Sequence, residues 1–199
     1  MTKSLVREKI WFPGIDRQVE DMIKVCAACE VTVPAQKFEP LNMSTLPSDG
    51  PWTELSIDFS GPFPNGYYLM VVTDDYTRYP VTETITSASA KTVIPKLANI
   101  LSMFGIPKVI RSDNGPPFHS EEFKGFSQYM GFRHRKITPL WPRAIGEAER
   151  FMRTLKKAIA TAIENGLPWE QGLSRFLMNY RVTPHTSKGK APAELLFGR

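Results

Sequence analysis

Between residues 53 and 87 apolar residues come in short runs separated by turn residues, a pattern that suits strands rather than helices. "TELSIDFSG" (53–61) and "YYLMVVTDD" (67–75) predict two strands joined by the turn-rich "PFPNG", and "PVTETITS" (80–87) predicts a third, in an antiparallel meander. The period then changes to that of a helix. "SAKTVIPKLANILSMFG" (89–105) is amphipathic and closes on Gly105, and "PKVIRSD" (107–113) is a short strand running into "NGPP". "SEEFKGFSQYMG" (120–131) predicts a helix capped by Ser120 and stopped by Gly131, with "FRHRKIT" (132–138) as a last strand. Two more helices follow, one from about Gly146 to Asn165 and one over 168–184. Strands in sequence followed by alternating helix and strand predict an α/β fold around a mixed sheet.

Ahead of the meander, "DRQVEDMIKVCAACE" (16–30) has helical spacing, with Val19, Met22, Ile23 and Cys26 on one face and Asp16 as N-cap or first-turn acid. Residues 31–51 lose all periodicity, carry Pro34, Pro40 and Pro47 and end on Gly50-Pro51, the composition of a linker. The sequence contains no internal repeat and no low-complexity tract.

Composition narrows the class. A 42% hydrophobic share over 199 residues is enough for a packed core, which sets disorder aside. The longest apolar runs, such as "YYLMVV" (67–72), fall far short of the roughly 20 residues that span a bilayer. "MTKSLVREKIWFPG" has no apolar stretch of the secretory kind, so no membrane or secretory role is expected. Two cysteines, Cys26 and Cys29, argue against a disulfide-built fold and fit a reduced intracellular setting.

Charge changes the picture more by its distribution than by its total of +5. Residues 132–159 hold eight bases (Arg133, Arg135, Lys136, Arg143, Arg150, Arg153, Lys156, Lys157) against Glu147 and Glu149, so 8 − 2 leaves +6. Such a stretch matches the footprint of a phosphate-backbone binder, and it matches a solvated helix face as well.

Enzymes that cut or join phosphodiesters often hold two divalent ions with acids converging from different elements. Asp58 lies inside an otherwise apolar strand, where a charge is costly unless paired or metal-bound; an outward-facing strand position is the plainer alternative. Asp113 ends the fourth strand before Asn114-Gly115, and an ordinary turn aspartate would look the same. On the helix after Gly146 the apolar stripe is Ala148, Phe151, Met152, Leu155, Ala158, Ile159, Ala162 and Ile163. At about 100° per residue, Glu147 and Glu149 fall on opposite borders of it. The border of Glu149 continues into Arg153 and Lys156, which favours Glu149 as the acid near a bound phosphate. Favourable placement at the positive helix N-terminus is the alternative for both.

Together these residues resemble a known family. Asp58 in "TELSIDFSGP", Asp113 in "IRSDNGPPF" and Glu149 in "GEAERFMRTLKKAI" resemble the acidic triad of retroviral and retrotransposon integrases, with the second and third acids 149 − 113 = 36 positions apart, leaving 35 residues between them. "VVTDDYTRYP", "TPLWP" and "NYRVTPHTSKGKAPAELLFGR" look like the gypsy-type LTR retrotransposon branch. The resemblance runs over nearly the whole chain. It implies an RNase H-like core, a five-stranded mixed sheet flanked by helices, with a short N-terminal helical remnant. It also implies a two-metal site for Mg²⁺ or Mn²⁺, held by Asp58, Asp113 and Glu149 as catalytic metal ligands. The implied activity is DNA integration: a polynucleotidyl transferase that trims the 3′ ends of retroelement DNA and joins them to target DNA. Arg153, Lys156 and Lys157 would lie against DNA phosphates, with Arg143 a further DNA contact. The resemblance also implies a nuclear location and at least a dimer.

The implied organisation is a truncated His/His/Cys/Cys module over 1–34, a linker over 35–50 and a catalytic core over 51–199. Cys26 and Cys29 look like the second half of that module's zinc set, but His119, His134 and His185 all lie downstream, and structural zinc takes four ligands. Zinc is therefore not expected. The loop before Glu149 departs from the family as well: Pro142-Arg143-Ala144-Ile145-Gly146 places an apolar Ile145 where the family is polar. The alternative reading is thus a domesticated DNA-binding or oligomerisation protein with weak or no catalysis.

Overall fold

The computed structural model describes residues 2–26, 49–63, 66–137, 146–185 and 189–198, with the side chains of Thr2, Ser4 and 146–149 outside that description. Five strands form one mixed sheet: β1 Glu54–Ser60, β2 Tyr68–Asp74, β3 Pro80–Ile85, β4 Val109–Ser112 and β5 Arg133–Lys136, in the order β3-β2-β1-β4-β5. The meander supplies the antiparallel half, since β2 pairs antiparallel with both β1 and β3. β4 and β5 join by parallel pairing, β4 to β1 and β5 to β4. Parallel neighbours need a crossover, and a helix precedes each of these two strands.

The expected element types hold throughout this region. The first of those crossover helices, Ala90–Phe104, ends at Gly105 as its spacing predicts, and the second, Glu121–Met130, is bounded by Ser120 and Gly131. Ser120 Oγ accepts the Phe123 N–H at 3.1 Å, and Gly131 takes φ +83°, a left-handed conformation that glycine adopts without strain. The sheet buries one face against these helices. Leu55, Ile57, Met70, Val72 and Ile110 meet Val93, Leu97, Ile100 and Phe123 in a single apolar cluster.

In chain order the helices among the described residues are α1 Thr2–Arg7, α2 Ile15–Lys24, α3 Ala90–Phe104, α4 Glu121–Met130, α5 Gly146–Glu164, α6 Trp169–Val182 and α7 Pro192–Phe197, so five remain beside the two crossover helices α3 and α4. Neither α1 nor α7 shows in the sequence pattern, because six residues are too few to display a period. Tertiary contacts hold α7 instead, with Phe197 edge-on to Tyr79 at 5.4 Å.

The chain divides into two compact units. One holds the sheet (residues 41–152 with 193–199) and the other holds 1–40 with 153–192, so α5 belongs to both. In the second unit, Leu155, Ile159, Ala162, Leu173, Phe176 and Leu177 are buried. Gly172 permits close approach there, since a Cβ on it would stand 2.3 Å from the Ala162 Cβ. α2 differs from expectation. It stops at Lys24, and only Ile15 and Val19 are buried. Met22 is exposed while Ile23 and Cys26 are half-buried, so the expected apolar face is buried only in part. The linker expected over 35–50, Cys29 and Arg143 lie outside the described residues, apart from residues 49 and 50.

Candidate functional site

The pairing of β1 with β4 carries a constant offset. Glu54 pairs with Val109, Leu55 with Ile110 and Ser56 with Arg111, so each partner lies 55 positions on. Asp58 and Asp113 differ by the same amount, 113 − 58 = 55. The paired ladder ends at Ser56–Arg111 and β4 ends at Ser112, so Asp113 opens the turn just past its strand. Extended by two residues, the same offset would bring the two acids level at about the 5 Å spacing of neighbouring strands. Alternation places Asp58 on the face of Glu54 and Ser56, which Arg111 shares across the ladder. This is the sheet face opposite Leu55, Ile57 and Ile110. It is also the carboxyl end of β4, where open α/β sheets bind ligands.

The surroundings hold both carboxylates in place. Asp58 is half-buried, and its Oδ1 accepts the Phe59 N–H at 2.8 Å. Asp113 is exposed, and its Oδ1 accepts the Gly115 N–H at 3.0 Å. The turn wraps closely: a Cβ at Gly115 would stand 3.2 Å from each Asp113 carboxylate oxygen. Asp113 is thus a turn residue, the plainer of the two roles its sequence position offered. Behind the turn, the buried Ser112 Oγ donates to the Asp113 carbonyl at 2.9 Å and lies 2.9 Å from His134 Nε2. Burial first, then the Lys136 charge, pushes the His134 imidazole below its ordinary value.

One pleat back on the same face lies an ion-pair cluster. Arg111 reaches Asp75 at 3.0 Å and also bonds Glu54, while Ser56 Oγ donates to Asp75 at 2.7 Å. Burial pushes the Asp75 carboxyl up to about 6, against the opposing pull of the Ser56 bond and the Arg111 and Arg78 charges. Asp74 has a separate task. It is fully buried, and its carboxylate organises the turn after β2 by accepting the Thr77 N–H at 3.1 Å and the Thr77 hydroxyl at 2.6 Å. Asp74 is thus bound up in its turn and Asp75 in the ion pair with Arg111. The sequence carried one signal of the cluster: Glu54, Ser56 and Asp58 are polar at alternate positions of a strand whose other face is apolar.

The third expected acid, Glu149, lies in the first turn of α5, and its side chain is outside the described residues. Among the described residues no three His, Cys, Asp or Glu side chains gather to hold a metal. Asp58 and Asp113 are hard oxygen donors, and the exposure of Asp113 leaves a carboxylate open to a cation, so their chemistry fits Mg²⁺ or Mn²⁺. An unsatisfied polar atom lies on the same face: the buried Ser60 Oγ, two residues beyond Asp58, has no hydrogen-bond partner among the described residues. Arg153 and Lys156 are exposed on α5, and Lys157 is half-buried. Cys26 is half-buried, and Cys29, with which it was paired in the expected zinc remnant, lies outside the described residues.

Comparison with known proteins decides the family. Residues 49–142 match the profile of the Integrase core domain. Those residues form an integrase core domain. Over 198 residues it is 39% identical to an uncharacterized protein of Caenorhabditis elegans, covering 99% of this chain and 16% of that protein. It is also 31% identical over 204 residues to the Pro-Pol polyprotein of simian foamy virus type 3, covering 97% of this chain and 17% of that protein. The chain thus spans about a sixth of the length of these curated relatives. Among solved structures, an integrase chain of a simian T-cell lymphotropic virus intasome aligns with TM-score 0.69 at 21% identity, over 98% of this chain and 69% of that one. The HTLV-2 integrase catalytic core, solved in complex with magnesium, aligns with TM-score 0.62 at 20% identity, over 74% of this chain and 97% of that one. The integrase fold is therefore the fold of this chain: an RNase H-like core on a five-stranded mixed sheet. No helix among the described residues is long and apolar enough to cross a membrane.

Proposed function

We propose that this integrase core is a metal-dependent polynucleotidyl transferase acting on retroelement DNA, with Asp58, Asp113 and Glu149 as its metal ligands. The observation that supports this reading is the shared offset of 55: the β1–β4 ladder, continued two residues past its last pair, would bring Asp58 and Asp113 level. Mg²⁺ or Mn²⁺ bound there would activate an attacking oxygen and stabilise the leaving one. The chain's own residues do the rest. Gly115 and Ser112 hold the Asp113 turn, the Phe59 N–H holds Asp58, and the family resemblance supplies Glu149, in the first turn of α5, as the third ligand. Those two bases, with Lys157 and Arg143, bind the phosphate backbone of retroelement ends or target DNA. The integrase family also supports 3′-end processing followed by strand transfer, a homo-oligomeric assembly and a nuclear site of action for this chain.

The test is a disintegration and strand-transfer assay with Mn²⁺ on branched DNA. Wild type should reseal or join strands, and Asp58→Asn, Asp113→Asn and Glu149→Gln should each lower the rate at least about 100-fold with the fold retained. An inactive wild type, assayed beside an active full-length relative, would defeat the proposal. The departure at Pro142-Arg143-Ala144-Ile145-Gly146 favours a second reading, a domesticated DNA-binding protein. That reading predicts DNA binding and cellular effects that survive Glu149→Gln.

A further inference from the structure

His134 lies on the edge strand β5, and its ring packs edge-on to Phe123 at 4.9 Å and against Phe118 at 5.9 Å. Its Nε2 meets the Ser112 hydroxyl, which bonds in turn to the Asp113 carbonyl. The direction of this chain follows from donor chemistry. A carbonyl oxygen only accepts, so Ser112 must spend its single proton on Asp113. Ser112 Oγ can then only accept from the ring, which fixes His134 as the Nε2–H tautomer. Ser112 is 2% exposed, so water does not replace this donor easily.

We propose that His134 is a positioning residue for Asp113, acting through Ser112 to fix the peptide that opens the Asp113–Gly115 turn. The turn is then pinned at both ends. Ser112 holds the Asp113 carbonyl from behind, and the Gly115 N–H holds the carboxylate from in front at 3.0 Å. With both bonds made, the carboxylate stays in one orientation and needs no rearrangement to receive a cation. Loss of the Nε2–H leaves the buried Ser112 oxygen short of a donor and frees the hydroxyl to turn away from the carbonyl. Partners that orient a metal ligand in this way are typically worth about 10–100-fold in metal affinity. The consequence for metal binding rests on the reading of Asp113 as a metal ligand, whereas the relay itself does not.

The experiment uses the full chain and three variants. His134→Phe keeps the ring packing and removes the donor, Ser112→Ala removes the relay hydroxyl, and His134→Gln returns an N–H near the Nε2 position. Three quantities are read: thermal midpoint, Mn²⁺ affinity by water-proton relaxation, and the Gly115 amide resonance, which reports the bond to Asp113. The expected result for His134→Phe and Ser112→Ala is a displaced Gly115 resonance and roughly tenfold weaker Mn²⁺ binding. The double variant should lose no more than either single one, since both break the same chain. His134→Gln should bring both quantities back near wild type. If His134→Phe leaves the Gly115 resonance unmoved, or if His134→Gln shifts it as far as His134→Phe does, the ring acts by packing alone and the proposal is overturned. A wild type that binds no Mn²⁺ would sink the metal-ligand reading, while the Gly115 resonance would still decide the relay. If His134→Phe fails to fold, Ser112→Ala and His134→Gln carry the same comparison.

Discussion

Arg111 serves two acids at once, Asp75 and Glu54, while Ser56 serves Asp75 from the neighbouring strand. Even so, burial dominates at Asp75 and pushes its carboxyl up to about 6. The folded protein therefore binds the Asp75 proton more tightly than the unfolded chain, where a carboxylate titrates near 3.9. The sign follows from linkage: between about pH 4 and 6 the folded state carries more protons, so this group makes stability fall as pH rises through that window. The full effect is about 3 kcal/mol. Asp75→Asn cannot titrate, so urea unfolding across pH 4 to 7.5 should show the variant gaining on wild type up to about pH 6.5 and level thereafter. A difference that stays constant with pH would remove the buried-carboxyl account. None of this was legible in "VVTDDYTRYP", where Asp74 and Asp75 look alike. Only the fold separates them, sending one into a turn with Thr77 and the other across the sheet to Arg111. The acid pair was more legible, because a charge inside an apolar strand and an aspartate at a strand end are both local signals. His134 and Gly115 gave no such signal, since their roles depend on contacts with Ser112 and Asp113.

Element boundaries were most legible where a side chain or a glycine sets them. The α4 helix is the clear instance: Ser120 takes the Phe123 N–H, and Glu121 and Glu122 occupy the first turn. Ser120→Ala should cost about 1 kcal/mol, and Ser120→Asp about nothing, measured as the shift in the urea midpoint. Equal losses in both variants would mean that the hydroxyl does something other than cap. The α2 helix was less legible, because its spacing offered an apolar face longer than the one the fold buries. The close contact of α5 with α6 in the second unit was not legible at all. Gly172 looks like a helix weakness in the sequence, yet its missing side chain makes room for Ala162. Gly172→Ala gains helix propensity of about 1 kcal/mol, but its Cβ would stand 2.3 Å from the Ala162 Cβ. Overpacking of this kind costs roughly 1–3 kcal/mol. The variant should therefore melt at or below the wild-type temperature, and adding Ala162→Gly should recover stability relative to Gly172→Ala alone. A Gly172→Ala protein clearly more stable than wild type would show that the helices can move apart freely.

At the scale of the whole molecule, the segment from Phe132 to Ile159 carries the excess positive charge, and the fold distributes it. Arg133, Arg135 and Lys136 are exposed on β5, while Arg150, Arg153 and Lys156 are exposed on α5. Exposed cations that meet phosphates release condensed counterions, so their number can be read from salt dependence without knowing the DNA sequence bound. Each phosphate contact contributes about −0.9 to the slope of log K against log salt on duplex DNA. If Arg153 and Lys156 both bind phosphates, the pair Arg153→Ala and Lys156→Ala should flatten that slope by roughly 1.8 and weaken binding about equally on unrelated sequences. Lys91, exposed on α3, serves as the control, and Lys91→Ala should leave the slope unchanged. Asp113→Asn separates chemistry from binding. It removes one negative charge where a phosphate would approach, so DNA affinity should hold or rise while strand joining is lost. An unchanged slope in the double variant would place the DNA elsewhere on the chain. A fall in affinity for Asp113→Asn would mean that the acid end of β4 contributes to binding itself, through a cation that the carboxylate holds between the protein and the phosphate.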